Sequence, residues 1–222
     1  MIAIEQATKA FGEKTLFRDL NLMFEEQKVT VLLGENGAGK STLLHILAGL
    51  EYLNTGRILY QNSPITSKQI HEIIGFVPQE IALWDHLTVQ QNIQFFKKQK
   101  KGAISDEQIN RYCEHLHLVD LHQPISKLSG GTKRKANLLI GLLHQPKFLI
   151  LDEPTVGIDL KSRYEIQSLI RQLKSTCTIV MTTHHLDEVE AVADHIITIG
   201  KDPFYKQVLQ EKGLPFIEAN EV

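Results

Sequence analysis

The sequence predicts an α/β fold with a mostly parallel sheet, an N-terminal antiparallel β layer and an inserted helical subdomain. The first observation is a short apolar run, Val29–Leu33, whose composition is typical of a strand buried on both faces. The second is the return of strand patterns at residues 148–151 and 178–183, with a helical pattern between them. The third is the stretch of residues 83–144, which shows helical periodicity and no strong strand pattern.

Length and composition agree with this prediction. The chain has 222 residues, of which 42% are hydrophobic and 23% charged, as expected of a globular domain with a sizeable core. The 24 basic and 26 acidic residues leave a net charge of −2, which argues against a nucleic-acid partner. No apolar run approaches the roughly 20 residues of a membrane helix, and the start shows no secretory leader pattern. Cys113 and Cys177 lie far apart in the sequence and are expected to stay reduced.

Taken in order, the chain begins with a β layer. Residues 2–7 and 20–24 are predicted strands around the turn-rich segment 11–15, and residues 56–60 are a candidate for another strand. Phe11 is expected in the loop between the first two strands. From the residues alone, its ring either stacks on an adenine or packs on the layer, and packing is the commoner role.

The strand Val29–Leu33 is followed by a glycine-rich turn that opens a helix. Gly34, Gly39, Lys40 and Ser41 match the pattern G-x-x-x-x-G-K-[ST] at every fixed position. Backbone N–H groups of such a turn surround polyphosphate oxygens, the lysine places a charge on the β- and γ-phosphates, and the serine hydroxyl is a Mg²⁺ ligand. The alternative is a turn that the glycines merely shape. The pattern and its flanking elements favour a P-loop NTPase (RecA-like) core that binds a nucleoside triphosphate.

The helical stretch of residues 83–144 is the candidate inserted subdomain. Within it, Ser105 and Gln108 have the spacing of a capping box, and Cys113 falls on the apolar face of the helix that follows. A second helix opens at residues 128–131, with the sequence LSGG. Its glycine-led N-terminus has the geometry to hold an anion, although an ordinary serine-capped helix explains the same residues.

Two carboxylates follow the strand at residues 148–151. Asp152 and Glu153 stand at its carboxyl end, where open α/β sheets bind their ligands. Asp152 fits an acid that holds Mg²⁺, and Glu153 is a candidate base or water-orienting group. His184 stands at the carboxyl end of the next strand and is either a structural histidine or a partner of the γ-phosphate.

These segments define the predicted organisation of a single domain. The core covers about residues 1–82 and 145–200, the helical subdomain about residues 83–144 and the C-terminal tail residues 201–222. A last strand is predicted at residues 195–199, and the tail carries no recognisable pattern.

Six motifs in this order resemble the ATP-binding subunit of ABC transporters over nearly the whole chain: GENGAGKS, FVPQE, LSGGTKRK, FLILDEP, VGID and TTHH. The resemblance implies ATP and Mg²⁺ as cofactors. It assigns the binding of the ATP phosphates and Mg²⁺ to Gly34, Glu35, Asn36, Gly37, Ala38, Gly39, Lys40, Ser41 and Thr42. Gln79 would contact Mg²⁺ and the attacking water, Glu153 would polarise that water, and His184 would contact the γ-phosphate. Asp152 would be the Mg²⁺-binding acid. Phe11 falls at the adenine-stacking position of the family, so the resemblance favours stacking on adenine over packing on the β layer.

The resemblance also implies a dimer. Ser129, Gly130 and Gly131 would contact the ATP held by the opposite subunit, and Asp159 would lie across the interface. One chain carries two anion-binding helix starts and one P-loop, and a head-to-tail dimer uses both. A homodimer, or a heterodimer with a related ATPase chain, would thus enclose two ATP molecules, and hydrolysis would loosen it. The other implied partner is a separate membrane permease, with this chain on its cytoplasmic face.

The sequences of two motifs depart from the commonest family pattern. Thr132 replaces the usual glutamine of LSGGQ, and residues 157–159 read Gly-Ile-Asp after Val156 where Ser-Ala-Leu-Asp is common. Neither change removes a phosphate donor, so hydrolysis is expected to be retained. The motifs LSGGTKRK and DEPTVGID resemble the exporter branch with separate ABC-2-type membrane chains, which favours export over import. The alternative is a soluble ABC-type ATPase or a regulatory ATP-binding module, against which the presence of Glu153 and His184 argues.

Overall fold

The structure, a computed structural model, describes residues 1–99 and 101–219. Its main sheet is built from β3 (Val29–Leu33), β6 (Ile74–Val77), β7 (Phe148–Asp152), β8 (Thr178–Thr182), β9 (His195–Thr198) and β10 (Ile217–Glu218). The strands pair in the order β10-β9-β3-β8-β7-β6, and every neighbouring pair is parallel. The predicted strand at Val29–Leu33 is therefore confirmed as a central strand.

A second, antiparallel sheet lies at the N-terminal end of the chain. It contains β1 (Ile2–Phe11), β2 (Lys14–Phe24), β4 (Thr55–Tyr60) and β5 (Ser63–Pro64), in the order β2-β1-β4-β5. The predicted layer is confirmed, but the loop position of Phe11 is wrong. Phe11 is the last residue of β1 and pairs with Lys14 of β2. Gly12 has φ of 58°, which allows the chain to reverse within two residues.

The helices fall mostly where the sequence predicts them. They are α1 (Lys40–Leu47), α2 (Ser67–Ile73), α3 (Val89–Lys97), α4 (Asp106–His115), α5 (Gly130–Leu142), α6 (Leu160–Leu173), α7 (Leu186–Val192) and α8 (Pro203–Glu211), with a short 3₁₀ turn at Ile125–Lys127. The stretch predicted to be helical contains α3, α4 and α5. Across residues 1–99 and 101–219, no helix has the length and apolar character needed to cross a membrane.

The core lies on both faces of the parallel sheet. Along β3, Val31 and Leu33 belong to one buried cluster with residues of α3 to α6, whereas Leu32 belongs to a second cluster with residues of β1, β2 and α1. Successive side chains of a strand point to opposite faces, so a strand covered on both sides must be apolar throughout. This requirement explains the continuous apolar run that identified β3. Cys113 and Cys177 are buried free thiols.

The strand order sets the position of the functional residues. β3 lies beside β8, and β8 lies beside β7, with Asp152 level with Thr182. The carboxyl ends of these three parallel strands therefore meet at one edge of the sheet. The glycine-rich turn, Asp152 and the segment that leads to His184 all leave the sheet at this edge.

The tail contains structure that the sequence did not indicate. α8 crosses from β9 to β10, and β10 adds a parallel edge strand to the main sheet. Residues 220–222 lie outside the described part of the chain.

Candidate functional site

The glycine-rich turn after β3 has the backbone geometry of an anion cradle. A Cβ atom on Gly34 would lie 1.9 Å from the main-chain oxygen of Ile199, so a side chain has no room there. Gly39 caps α1 with φ of 99°, a region that favours glycine. Lys40 and Ser41 follow as the first residues of the helix, where unpaired N–H groups and the helix dipole favour a bound anion.

The ammonium group of Lys40 is held over this turn. Lys40 is 8% exposed, and its Nζ donates to the main-chain oxygens of Gly34 at 2.7 Å and of Glu35 at 3.0 Å. Burial lowers the pKa of Lys40, and nearby carboxylates, Glu153 foremost, act in the opposite direction. An ammonium group anchored on carbonyl oxygens in this way is placed to donate a further hydrogen bond to a phosphate oxygen.

An open cleft of about 820 Å³ lies above the turn. Ten of the residues that the sequence indicated line it, namely Phe11, Asn36, Gly37, Gly39, Lys40, Ser41, Thr42, Gln79, Glu153 and His184. Lys14, Leu16 and Tyr205 also line the cleft, and the sequence gave no sign of them. Phe11 is 49% exposed, and Lys9 Nζ lies over one face of its ring, 4.4 Å from the centroid.

Glu153 is the centre of the polar contacts in the cleft. Gln79 Nε2 donates to Glu153 Oε2 at 3.1 Å, and His184 Nδ1 lies 3.4 Å from Glu153 Oε1. Glu153 has φ of 46°, an uncommon backbone conformation for a residue with a side chain. Such conformations cluster at functional sites, because the surrounding structure must hold them in place.

Asp152 and Ser41 offer the oxygen ligands that Mg²⁺ prefers. Asp152 is 5% exposed and comes directly before Glu153 at the end of β7, while Ser41 is exposed in the cleft. In the described part of the chain, no group of three or more His, Cys, Asp or Glu side chains could hold a metal alone. Mg²⁺ in nucleotide sites is commonly bound by one or two carboxylates together with substrate phosphates, and the residues present fit that arrangement.

The segment LSGG lies apart from the cleft. Ser129 caps α5 and accepts a hydrogen bond from Thr132 N at 3.2 Å. A Cβ atom on Gly131 would meet Asp159 Oδ2 at 2.8 Å, so the two predicted interface segments are close neighbours in one chain. Hydrogen bonds from Ser162 lower the pKa of Asp159, which caps α6. Ser129, Gly130 and Asp159 are exposed.

The carboxylate of Glu35 ties the glycine-rich turn to the C-terminal segment. Its Oε1 accepts from Lys201 N at 3.0 Å and its Oε2 from Asp202 N at 3.4 Å. This contact occupies the side chain of Glu35 and leaves its main-chain groups to contact the ligand and Lys40. This contact fixes the start of α8, which carries Tyr205 to the cleft.

Comparison with known proteins identifies the family. A model described as "ABC transporter" matches residues 17–156, which is more than half of the chain. The chain belongs to the ABC transporter family. Two solved ABC structures share its fold: a dimeric structure of the bacterial ABC transporter cassette MJ0796 and cbiO1 from Clostridium perfringens. The first has a TM-score of 0.78, 25% identity and coverage of 90% of this chain and 94% of that one. The second has a TM-score of 0.79, 27% identity and coverage of 95% and 91%.

Curated ABC relatives are similar along most of this chain. The linearmycin resistance ATP-binding protein LnrL of Bacillus subtilis is 38% identical over 88% of the chain, which spans 65% of LnrL. The sulfate/thiosulfate import ATP-binding protein CysA of Thermosynechococcus vestitus is 39% identical over 90% of the chain, which spans 61% of CysA. Human ABCA3, a phospholipid-transporting ATPase, is 38% identical over 90% of the chain, which spans 12% of ABCA3. The chain thus corresponds to part of each ABC relative.

The resemblance seen in the motifs is therefore confirmed, as is the ABC ATPase fold. This chain is an ATP-binding cassette of an ATPase family, and a further MJ0796 structure represents a post-hydrolysis state with ADP and Pi.

Proposed function

We propose that this chain binds and hydrolyses ATP in a cassette dimer and transmits the closing motion to a separate membrane permease. The observation that carries the proposal is the convergence of Lys40, Gln79, Glu153 and His184 on one cleft at the carboxyl edge of the parallel sheet. Open α/β sheets bind ligands at this edge, where the glycine-rich turn also lies.

The cleft residues have distinct roles in phosphoryl transfer. The main chain of residues 34–39 and Lys40 bind the phosphates, and Ser41 and Asp152 would hold Mg²⁺, which would supply positive charge against the transferred phosphoryl group. Glu153 orients the attacking water and accepts its proton. Gln79 and His184, which flank Glu153, position that carboxylate, the water and the γ-phosphate.

The dimer follows from the placement of the LSGG segment. Ser129 and Gly130 are exposed at the start of a 13-residue helix, and they do not line the cleft of their own chain. A head-to-tail arrangement brings this helix start onto the nucleotide of a second copy, or of a related chain, and uses both anion sites. Nucleotide binding then favours the closed state, and hydrolysis favours the open one.

The permease and the location on its cytoplasmic face belong to the same proposal. Support comes from relatives whose names state a transport or resistance role. Export stays a prediction, because the matches at similar identity include the ATP-binding protein of an importer.

The test compares wild type with Glu153→Gln for ATP hydrolysis and for ATP-dependent dimerisation. We expect Glu153→Gln to bind Mg-ATP, to lose turnover by about 100-fold or more, and to accumulate as an ATP-bound dimer. Glu107→Gln is the control, because Glu107 is exposed and pairs with Arg111 on the surface of α4. Wild type that binds ATP without hydrolysis or dimerisation, even with the permease present, would favour the regulatory module instead.

A further inference from the structure

Arg134 connects the helix of the LSGG segment to the loop that carries Gln79. It lies on α5, three residues after Gly131, and is half-buried. Its Nη1 donates to the main-chain oxygen of Gln79 and reaches that of Pro78 at 3.5 Å. The motifs assign no role to this side chain.

The anchored residue is the one that contacts the hydrolytic carboxylate. The main chain of Gln79 accepts from Arg134, and its side chain donates to Glu153 Oε2 at 3.1 Å. A displacement of the loop by about 1 Å would break the second contact, and misplacement of this size can cost 100-fold in rate. The guanidinium therefore acts on Glu153 through one residue.

A second side chain of α5 holds the same loop. Asn137 is buried, and its Nδ2 donates to the main-chain oxygen of Pro78 at 3.4 Å while its Oδ1 accepts from Ala82 N at 3.2 Å. Because Arg134 and Asn137 are three residues apart, they lie on one face of the helix. The loop is thus fastened along α5 at both of its ends, with Arg134 at the end that faces the cleft.

Charge strengthens this link. Burial lowers the pKa of Arg134, and the negative charges of Glu153 and Asp152 act in the opposite direction. An arginine stays protonated at neutral pH under such an influence, so its charge faces the two acids. A bond from a charged donor to a carbonyl oxygen is also stronger than one from a neutral donor.

We propose that Arg134 is a positioning residue that sets Gln79 against Glu153 and so couples the start of α5 to hydrolysis. When a partner's nucleotide engages residues 129–131, the resulting shift of α5 moves the Gln79 loop through this side chain. The inference rests on the proposed ATP hydrolysis in the cleft and adds its regulation by the LSGG helix.

The test is a double-mutant cycle of Arg134→Ala with Gln79→Ala, read as kcat, KM for Mg-ATP and melting temperature. We expect Arg134→Ala alone to lower kcat about tenfold or more while KM changes less than about twofold, because its hydrogen bonds go to the Gln79 loop and not to the glycine-rich turn. In the Gln79→Ala background, the same change should lower kcat less than about twofold, because no Gln79 side chain remains to be positioned.

Two further variants separate positioning from folding. Arg134→Lys keeps one charged donor for the Gln79 carbonyl and should restore kcat to within about threefold of wild type. Arg111→Ala, on the exposed face of α4, should leave kcat unchanged. Equal losses of kcat in both Gln79 backgrounds, or a rise in KM at constant kcat, would overturn the inference.

A binding readout distinguishes this inference from the proposed function. Trp84 is the single tryptophan of the chain, five residues after Gln79, and its amide nitrogen is fixed by Asn92 Oδ1 at 2.9 Å. The emission change of Trp84 on titration with ATP should be reduced in Arg134→Ala at unchanged ATP affinity. Wild type that fails to hydrolyse ATP contradicts the proposed function, whereas an emission change that Arg134→Ala leaves intact contradicts the inference.

Discussion

Thr182 and Asp152 share a hydrogen bond of 2.5 Å between the ends of neighbouring strands, donated by the Thr182 hydroxyl to Asp152 Oδ1. The same hydroxyl accepts from the amide of Glu153 at 2.9 Å. Thr182 is fully buried at 0% exposure. One hydroxyl on β8 therefore orients both acids that the proposed chemistry requires, the metal ligand through its side chain and the hydrolytic carboxylate through its backbone.

Thr182→Val should lower both stability and Mg²⁺ affinity. The isosteric change leaves a buried carboxylate and a buried N–H without this partner, which predicts a loss of about 3 kcal/mol in the free energy of unfolding. The Mg²⁺ concentration for half-maximal hydrolysis should rise, because Asp152 loses the bond that orients it. Urea unfolding and a Mg²⁺ titration measure the two effects.

Thr30→Val is the matched control. Thr30 lies on β3 at 1% exposure, and its hydroxyl has no hydrogen-bond partner among the described residues. Valine removes an unpaired polar group, so stability should be unchanged or rise by up to about 1 kcal/mol. Equal losses in the two variants would show that the Thr182 bonds have no special effect.

Substitutions of Gly130 and Gly131 distinguish an effect on folding from an effect on the proposed dimer. A Cβ atom on Gly131 would lie 2.3 Å from Ser162 Oγ, whereas one on Gly130 would have its nearest neighbour, Gly157 O, at 3.9 Å. Gly131→Ala should therefore destabilise the chain by about 1–3 kcal/mol. Gly130→Ala should leave the melting temperature unchanged or slightly higher.

Gly130→Ala should nevertheless weaken ATP-dependent dimerisation by about tenfold or more, since the added methyl group would meet the partner's nucleotide in the proposed dimer. The measurement is the dimer fraction against ATP concentration, by light scattering, in the Glu153→Gln background. If Gly130→Ala in this background dimerises as well as Glu153→Gln alone, the proposed contact of the LSGG segment with the partner's nucleotide is contradicted.

The strands that carry the site were predictable because burial on both faces leaves an apolar run with sharp polar ends. Val29–Leu33 and the run before Asp152 have this property, and both are strands as predicted. β6 was missed because a four-residue strand with Gly75 at its second position resembles a loop in sequence. β10 has two residues and exists through its pairing with β9, which no local pattern reveals.

The candidate site likewise contains residues that a local sequence pattern predicts and residues that only the fold brings there. The glycine-rich turn and the acids follow directly from motifs, because neighbours in sequence form each part. Tyr205 and Lys14 reach the cleft through long-range contacts. The contact of Glu35 with Lys201 joins residues 166 positions apart, and nothing around either residue signals it. Phe11 was placed in a loop because the turn at Gly12 is tighter than the composition of the segment suggests.

Tyr205→Ala should weaken Mg-ATP binding by about three- to tenfold, because the aromatic ring forms part of the cleft wall and would contribute apolar contact with the nucleotide. Tyr205→Phe should bind as wild type does. The dissociation constant is best measured in the Glu153→Gln background, where turnover does not intervene.

Tyr164→Ala is the control for Tyr205→Ala. Tyr164 is exposed on α6, and the Arg171 guanidinium lies over its ring. Equal affinities for Tyr205→Ala and Tyr164→Ala would show that the ligand does not reach α8.

Glu188→Gln should stabilise the chain more at high pH than at low pH. Glu188 is fully buried on α7, and its Oε1 accepts from Thr155 Oγ1 at 2.9 Å. Burial raises the pKa of Glu188 and nearby Asp187 adds to this, against the opposing effects of hydrogen bonds from Thr183 and Thr155 and of the Arg163 charge.

The sign follows from proton linkage. A glutamate with a raised pKa keeps its proton in the folded chain at pH values where the unfolded chain releases it, so wild-type stability falls as pH rises from 4.5 toward the raised pKa. Glutamine does not titrate. The free energy of unfolding of Glu188→Gln minus that of wild type should therefore be larger at about pH 8 than at about pH 4.

Urea unfolding at the two pH values measures this difference, with Glu190→Gln as the matched control. Glu190 lies on the same helix, is exposed and pairs with Lys212, so its replacement should give no pH-dependent gain. A Glu188→Gln effect of equal size at both pH values would show that the carboxyl group titrates normally despite its burial. In that event Thr155 and Thr183 would be stabilising the charged form enough to offset desolvation, and α7 would contain a buried anion four residues after His184.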